Sequence, residues 1–358
     1  MCLYSVMIVF YSCGIGQESV VTEFNQFGNS VKLDSSVLGQ IPVFSFGDNF
    51  VFNDFMHIHN EAVLGGKLSE NKLTLSENVL NIGHGHNEFQ NASFIKGNGN
   101  TMYLMNCQGG IPKSVTRVTQ VNGISDLKDT NKWETYRLNN LPAFYNLSQY
   151  NAYISDSTLL VLGAPATNMG HIMSVLDFKN QKVQPLDFWP EDNVECDSIA
   201  KFMLYAQYAK IMGNGNGRYA YCFSGERFLF VFSIEDSHVN VIKKLYENYP
   251  IYEGDGMNTR TKSYRPEGLS SCGSRENLYV LLKDSDADGE KLDRYLPPLY
   301  GNTVEVYDWD GIKQKTIHLD NYGTKIMVSD DNKTLYLFVL DDESGNYKTW
   351  TYDIDSLK

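Results

Sequence analysis

The sequence predicts an all-β chain: a six-bladed β-propeller of four-stranded antiparallel blades, its ring closed by an N-terminal strand. Three observations predict it. From Asn302 to Asp355 short runs such as Thr303 to Asp308 alternate apolar and polar residues, and each run is closed by a turn rich in Gly, Asp or Asn. That is the pattern of antiparallel strands joined by hairpins. A turn feeding an apolar or aromatic strand, seen there at Asn332 to Leu337, has earlier copies beginning at Gly47, Gly99, Asp156, Asn216 and Arg275, with spacings of 52 to 60 residues. This is the length of a four-stranded blade with generous loops. Finally, the last copy stops after its third strand, while a spare strand, Glu23 to Leu33, precedes the first. Pairing that segment beside Tyr347 to Ile354 closes the ring and hides the edges an open sheet would expose.

Each element follows from the repeat. An inner strand precedes the turn, as at Val43 to Phe46, Ala92 to Ile95, Ala152 to Ile154 and Lys325 to Val328. A third strand follows, as at Ser174 to Phe178, Phe228 to Ile234, Val304 to Trp309 and Thr349 to Asp353. The fourth is visible at Lys182 to Leu186, Val239 to Leu245 and Lys313 to Leu319. One segment breaks the pattern: Glu191 to Ile211 reads as an insertion carrying a short helix with Asp197 as its N-cap. Gly254 to Gly268 is a second long, polar connection.

Composition agrees with a packed chain. Of 358 residues, 42% are hydrophobic and 13% aromatic, enough for a core and too apolar for global disorder. The net charge of −13 repels phosphate backbones, and the scattered Lys and Arg form no basic patch, which argues against nucleic-acid binding. Six Cys lack metal-ligand spacing and read mainly as buried small hydrophobes. One disulfide among Cys107, Cys196, Cys222 and Cys272 stays open, with no pairing fixed by spacing.

Residues 1–19 read as a separate signal and tether, leaving 20–358 for the propeller. Met1 to Ser12 is apolar and uncharged, too short to span a bilayer, and fits the core of a secretory signal peptide. Small Ser12 before Cys13 is similar to a lipobox, with Cys13 as the lipidated residue, although no Lys or Arg precedes the run. Secretion without a lipid and a buried N-terminal strand are the other two readings.

With these features together, the chain resembles the TolB-like six-bladed propeller family of bacterial envelope lipoproteins. The stretch Ile82 to Phe89 matches that family's glycine-rich motif at Gly83, Gly85, Glu88 and Phe89, with His86 and Asn87 in place of its Pro-Gly. The last blade, Tyr307 to Gly311 through Leu335-Tyr336, matches the family's ending. The resemblance covers about Val20 to Lys358. It implies a cell-envelope protein, a periplasmic or outer-membrane lipoprotein held to the membrane by its lipid alone. It implies no reaction.

Candidate ligand-binding residues lie on loops expected at the ring face. His84, His86 and Glu88 are two imidazoles and a carboxylate in five residues, suited to a transition metal or an anion, or else forming a structural turn. Tyr145, Tyr150, Tyr205 and Tyr208 suit glycans or peptides, or packing between blades. Arg260 and Arg265 suit a carboxylate, or pair with Glu267 or Asp255. Asp284, Asp286 and Asp288 alternate as in a calcium loop, but Tyr295 stands where an EF-hand needs Glu, so a solvated acidic loop competes with calcium. His57 and His59 share a strand face. Gly213 to Gly217 reads as a hairpin, not a nucleotide loop. The resulting expectation is a monomeric, non-enzymatic binding module for a protein, peptide or glycan, with no cofactor unless calcium. The alternative is a lyase or hydrolase using His84, His86, Glu88 and Arg265.

Overall fold

The computed structural model describes residues 21–33, 40–47, 49–54, 63–69, 72–81, 83–108, 113–261, 267–284, 299–341 and 346–357. They form a six-bladed propeller. Its inner strands are Gln40–Phe46, Ala92–Lys96, Ala152–Ser155, Ala209–Gly213, Glu267–Gly273 and Lys325–Val328, for blades one to six. Each pairs antiparallel with the strand after it, and so outward through the blade. In blades one, two and six the turn after the inner strand holds Gly47, Gly99 and Asn332 at φ near 60°. Glycine and asparagine accept this left-handed conformation most readily, which is why the repeat carries them there.

The apolar core is divided by the ring. Six buried clusters each span one seam between neighbouring blades, from Phe44, Val51, Phe94 and Met102 at blades one and two round to Phe50, Leu73, Tyr336 and Phe338 at blades six and one. A second strand therefore has no solvent face: Tyr219–Phe223 is buried along its whole length. The outer strand His238–Glu247 alternates, because only one of its faces is covered.

Closure uses the N-terminal segment, but in two pieces. Asn29–Leu33 takes the outer place of blade six, with Asn29, Ser30 and Val31 opposite Thr351, Trp350 and Thr349. Thr22–Gln26 instead runs parallel to the outer strand of blade five, Lys313–Gly323. The break falls at Gly28, whose N–H donates to Asp320 (3.0 Å), while a Cβ there would meet the Tyr352 ring at 2.6 Å. The single strand expected over Glu23 to Leu33 is thus two strands turned at a glycine.

The expected helix is α1 (Ser198–Gln207), capped by Asp197, whose Oδ1 accepts from the N–H groups of Ile199 and Ala200, each at 2.9 Å. The insertion ends sooner than expected, because Ala209–Gly213 already is the inner strand of blade four. A hairpin of Tyr252–Asp255 and Asn258–Thr261 in the second long connection packs on α1. Blade two departs from regularity: Glu134–Arg137 and Phe144–Asn146 both pair with its third strand, Lys113–Asn122. Cys107, Cys196, Cys222 and Cys272 are free thiols, so the disulfide left open between them is not formed. Among the described residues no helix is long and apolar enough to cross a membrane.

Candidate functional site

The inner strands enclose a cavity of about 540 Å³ on the ring axis, which reaches the turns that follow them. Residues from all six blades line it. Two contacts between opposite blades bound it. At the turn end, Arg275 of blade five donates to Asn98 Oδ1 of blade two at 3.2 Å. At the other end, Lys325 Nζ of blade six donates to the hydroxyl of Tyr150, which leads into blade three, at 3.0 Å.

Lysines dominate the deep end. Lys210 Nζ lies 5.0 Å from the centre of the Tyr150 ring and donates to the Ser271 carbonyl, and Lys325 Nζ lies 5.3 Å from the same ring. Burial pulls the Tyr150 phenol up, but Lys325 and Lys210 more than reverse this, so it ionises below its ordinary range. Burial depresses the Lys210 amine. It also pushes the Cys272 thiol, on the cavity wall, up to about 12 despite Lys210 and Lys325. Toward the turn end, Lys96 pairs with Asp330, whose other oxygen accepts from Gly47 N at 2.9 Å. Among the described residues four cations, Lys96, Lys210, Arg275 and Lys325, therefore face one carboxylate, Asp330, inside a chain of net charge −13. This reversal of sign suits an anionic ligand.

Of the residues singled out from sequence, Tyr150 lies in this cavity. Tyr145 is half-buried against the seam of blades three and four. Tyr205 is fully buried, and its hydroxyl donates to Asp192 at 2.7 Å. Tyr208 caps α1, exposed, edge-on to Phe223. The four tyrosines do not form one patch: burial on helix α1 directs Tyr205 into the core. Glu267 accepts from Asn248 (3.3 Å) and faces Arg227 (3.7 Å), which also pairs with Asp284. Arg260 lies in the hairpin on α1 with its backbone opposite Glu253. Cys13, His57, His59, Arg265, Asp286 and Asp288, and the side chain of Arg260, lie outside the described residues.

His84, His86 and Glu88 sit apart from the axis. Glu88 turns back to accept from Gly85 N at 2.7 Å, His84 meets Gln90 and His86 meets Asn87. His84 and His86 line a separate cleft of about 460 Å³ beside Arg117 and Arg137. Among the described residues no three His, Cys, Asp or Glu side chains converge as metal ligands would.

The axial lysines were not among the sequence candidates. Their signal is a single cation within an otherwise apolar inner strand, as in Ala209-Lys210-Ile211-Met212 and Lys325-Ile326-Met327. On an inner strand the side chain that does not enter a seam faces the axis.

No family model and no curated protein sequence matches the chain. Solved structures similar to it are propellers of mixed function. The calcium-binding protein regucalcin from Agrobacterium tumefaciens is 11% identical, with a TM-score of 0.45 over 93% of this chain and 97% of its own. An auxiliary nutrient binding protein from Bacteroides ovatus is also 11% identical, with a TM-score of 0.45 over 89% and 71%. An oligogalacturonate lyase in complex with manganese is 9% identical, with a TM-score of 0.39 over 87% and 76%.

Proposed function

We propose that the protein is a non-enzymatic binding module that takes a small anionic ligand, or an anionic group of a larger peptide or glycan, into the central channel. The observation that carries this reading is the axial cavity, where, among the described residues, four cations face one carboxylate. Groups from blades three, four and six meet at Tyr150, Lys210 and Lys325, and a buried cation gains most from a counter-charge where water is scarce. Entry from the turn face displaces the Arg275–Asn98 contact, freeing a guanidinium suited to a carboxylate or phosphate.

The test is thermal unfolding of the full chain with citrate, succinate and phosphorylated sugars at matched ionic strength. A ligand that binds only the folded state raises the midpoint. A rise that is lost in the Lys210→Met, Lys325→Met double variant supports the reading. No rise with any anion, or an equal rise in the variant, overturns it.

One observation favours a second reading, catalysis. Tyr150 ionises below its ordinary range beside a lysine donor, as a general base requires. A lyase removing a proton next to a bound carboxylate would then lose turnover in Tyr150→Phe while still binding substrate. Turnover unchanged in that variant rejects it.

The attachment is a further part of the proposal: an envelope lipoprotein of TolB-like type, monomeric and lipidated at Cys13. Labelling with a lipid analogue should be lost in Cys13→Ala, and equal labelling excludes that anchor. Calcium held by Asp284, Asp286 and Asp288 is a further part of the proposal. A calcium-dependent rise in midpoint should disappear in Asp286→Ala.

A further inference from the structure

The second cleft, at the seam of blades one and two, holds positive charge that no described group neutralises. Asn106, Arg117 and Arg137 stand directly opposite one another in three adjacent strands of blade two. Two like charges across a strand pair repel. Burial and the neighbouring Arg137 both lower the proton affinity of Arg117. A guanidinium nevertheless remains charged in proteins.

Arg117 is fixed in place. It is only 6% exposed, its two terminal nitrogens donate to the carbonyls of His86 and Glu88, and its guanidinium covers the Phe89 ring at 4.4 Å. Its Nε is buried with no hydrogen-bond partner. The carboxylate of Glu88, whose own carbonyl Arg117 holds, turns back to accept from Gly85 N. Among the described residues no carboxylate lines the cleft; its polar wall includes His84, His86, Asn106, Gln108, Thr116 and Asn139. Arg137 is exposed, and among the described residues it makes no ion pair or hydrogen bond.

We propose that this cleft is an oxyanion site for a phosphate or sulfate group, free or terminal on a larger molecule. Arg137 supplies the accessible donor, and Arg117 contributes a fixed charge behind it. His84 and Asn139 stand on the walls as further hydrogen-bonding groups. A tetrahedral oxyanion relieves the repulsion between the two guanidiniums and matches the planar donor face of Arg137. The site is distinct from the axial cavity and does not depend on the function proposed for it.

The experiment titrates the full chain with inorganic phosphate, sulfate and glycerol 1-phosphate against sodium chloride of equal ionic strength, following the unfolding midpoint and Kd by calorimetry. Phosphate should raise the midpoint of the wild type and of Lys325→Met. Arg137→Gln, on an exposed strand, should unfold in chloride no lower than the wild type, since it removes one of the two repelling charges, but weaken phosphate by about tenfold or more. Tighter binding of glycerol 1-phosphate than of phosphate assigns the site to a terminal group, and the reverse assigns it to the free ion. Three results overturn the proposal: no effect beyond chloride, full binding in Arg137→Gln, or loss of binding in Lys325→Met in place of Arg137→Gln.

Discussion

Asp192 ties helix α1 to the hairpin that packs on it. Its carboxylate, 1% exposed, meets Lys201 Nζ at 2.9 Å and accepts from the hydroxyls of Tyr205 (2.7 Å) and Tyr252 (3.0 Å). Removing one partner of a buried pair leaves the other charge uncompensated, at a cost of about 3–5 kcal/mol. Asp192→Ala should lower stability by about that amount in denaturant unfolding, and Lys201→Met in the same chain should recover part of the loss. Lys283 gives the opposite case. Burial depresses its amine to about 8, with Cys222 opposing and Lys325 adding to the shift. An unfolded lysine titrates near about 10.4. Below about pH 8 both states are protonated and the full penalty is present; between about pH 8 and 10.4 the unfolded chain holds the extra proton, so stability rises with pH. Lys283→Met should therefore stabilise at pH 7, with a gain that shrinks toward pH 10 in unfolding curves across that range. Neither residue was legible in the sequence, because the partners of Asp192 include Tyr252 from a distant hairpin, and a lysine in a strand carries no mark of its burial.

At the scale of elements, local chemistry was readable wherever it closes within a few residues. The Asp197 cap is one such case, since an N-cap acts on the next turn only. The structure adds a second role: Asp197 Oδ2 accepts from Gly256 N at 2.9 Å, joining α1 to the hairpin. Asp197→Ala should cost about 1 kcal/mol from the cap. Amide exchange of the hairpin should quicken in the same variant, whereas a cap acting on the helix alone would leave it unchanged. The inner and second strands were legible as turn-plus-apolar copies, for a seam-facing strand is apolar on both sides. The doubled outer position of blade two was not, since Glu134–Arg137 and Phe144–Asn146 are short and each satisfies only part of the edge of Lys113–Asn122. The repeat's aromatic position gained a physical meaning. Tyr279 of blade five donates to Asn332 in the turn of blade six at 2.8 Å, and Tyr103 of blade two reaches Asp156 of blade three at 3.4 Å. In these two copies the same position links one blade to the turn of the next, whereas Val51, Leu160 and Ala220 hold that place in blades one, three and four.

For the whole molecule, ring closure was legible because a blade short of one strand demands a partner, and the N-terminal segment was the available one. The axial site was not, because Tyr150 and Lys325 are 175 residues apart and meet only once the ring exists. Gly28 sits where blades five and six receive the incoming chain, with Asp320 accepting from both Gly28 N and the Tyr352 hydroxyl at 3.0 Å. Gly28→Val should push the Tyr352 ring away, lower the unfolding midpoint and promote self-association through the uncovered edge of blade six, as size-exclusion chromatography would show. An unchanged midpoint and elution volume would mean that the latch is dispensable.

The two-piece closure also has a mechanical consequence. A pull on Val21 along the strand axis loads the five residue pairs between Thr22–Gln26 and Lys315–Leu319 together, in shear, before the pull reaches Gly28 and blade six. A membrane tether drawing on this end would meet its resistance first at blade five, leaving the strand that completes the ring shielded from the load.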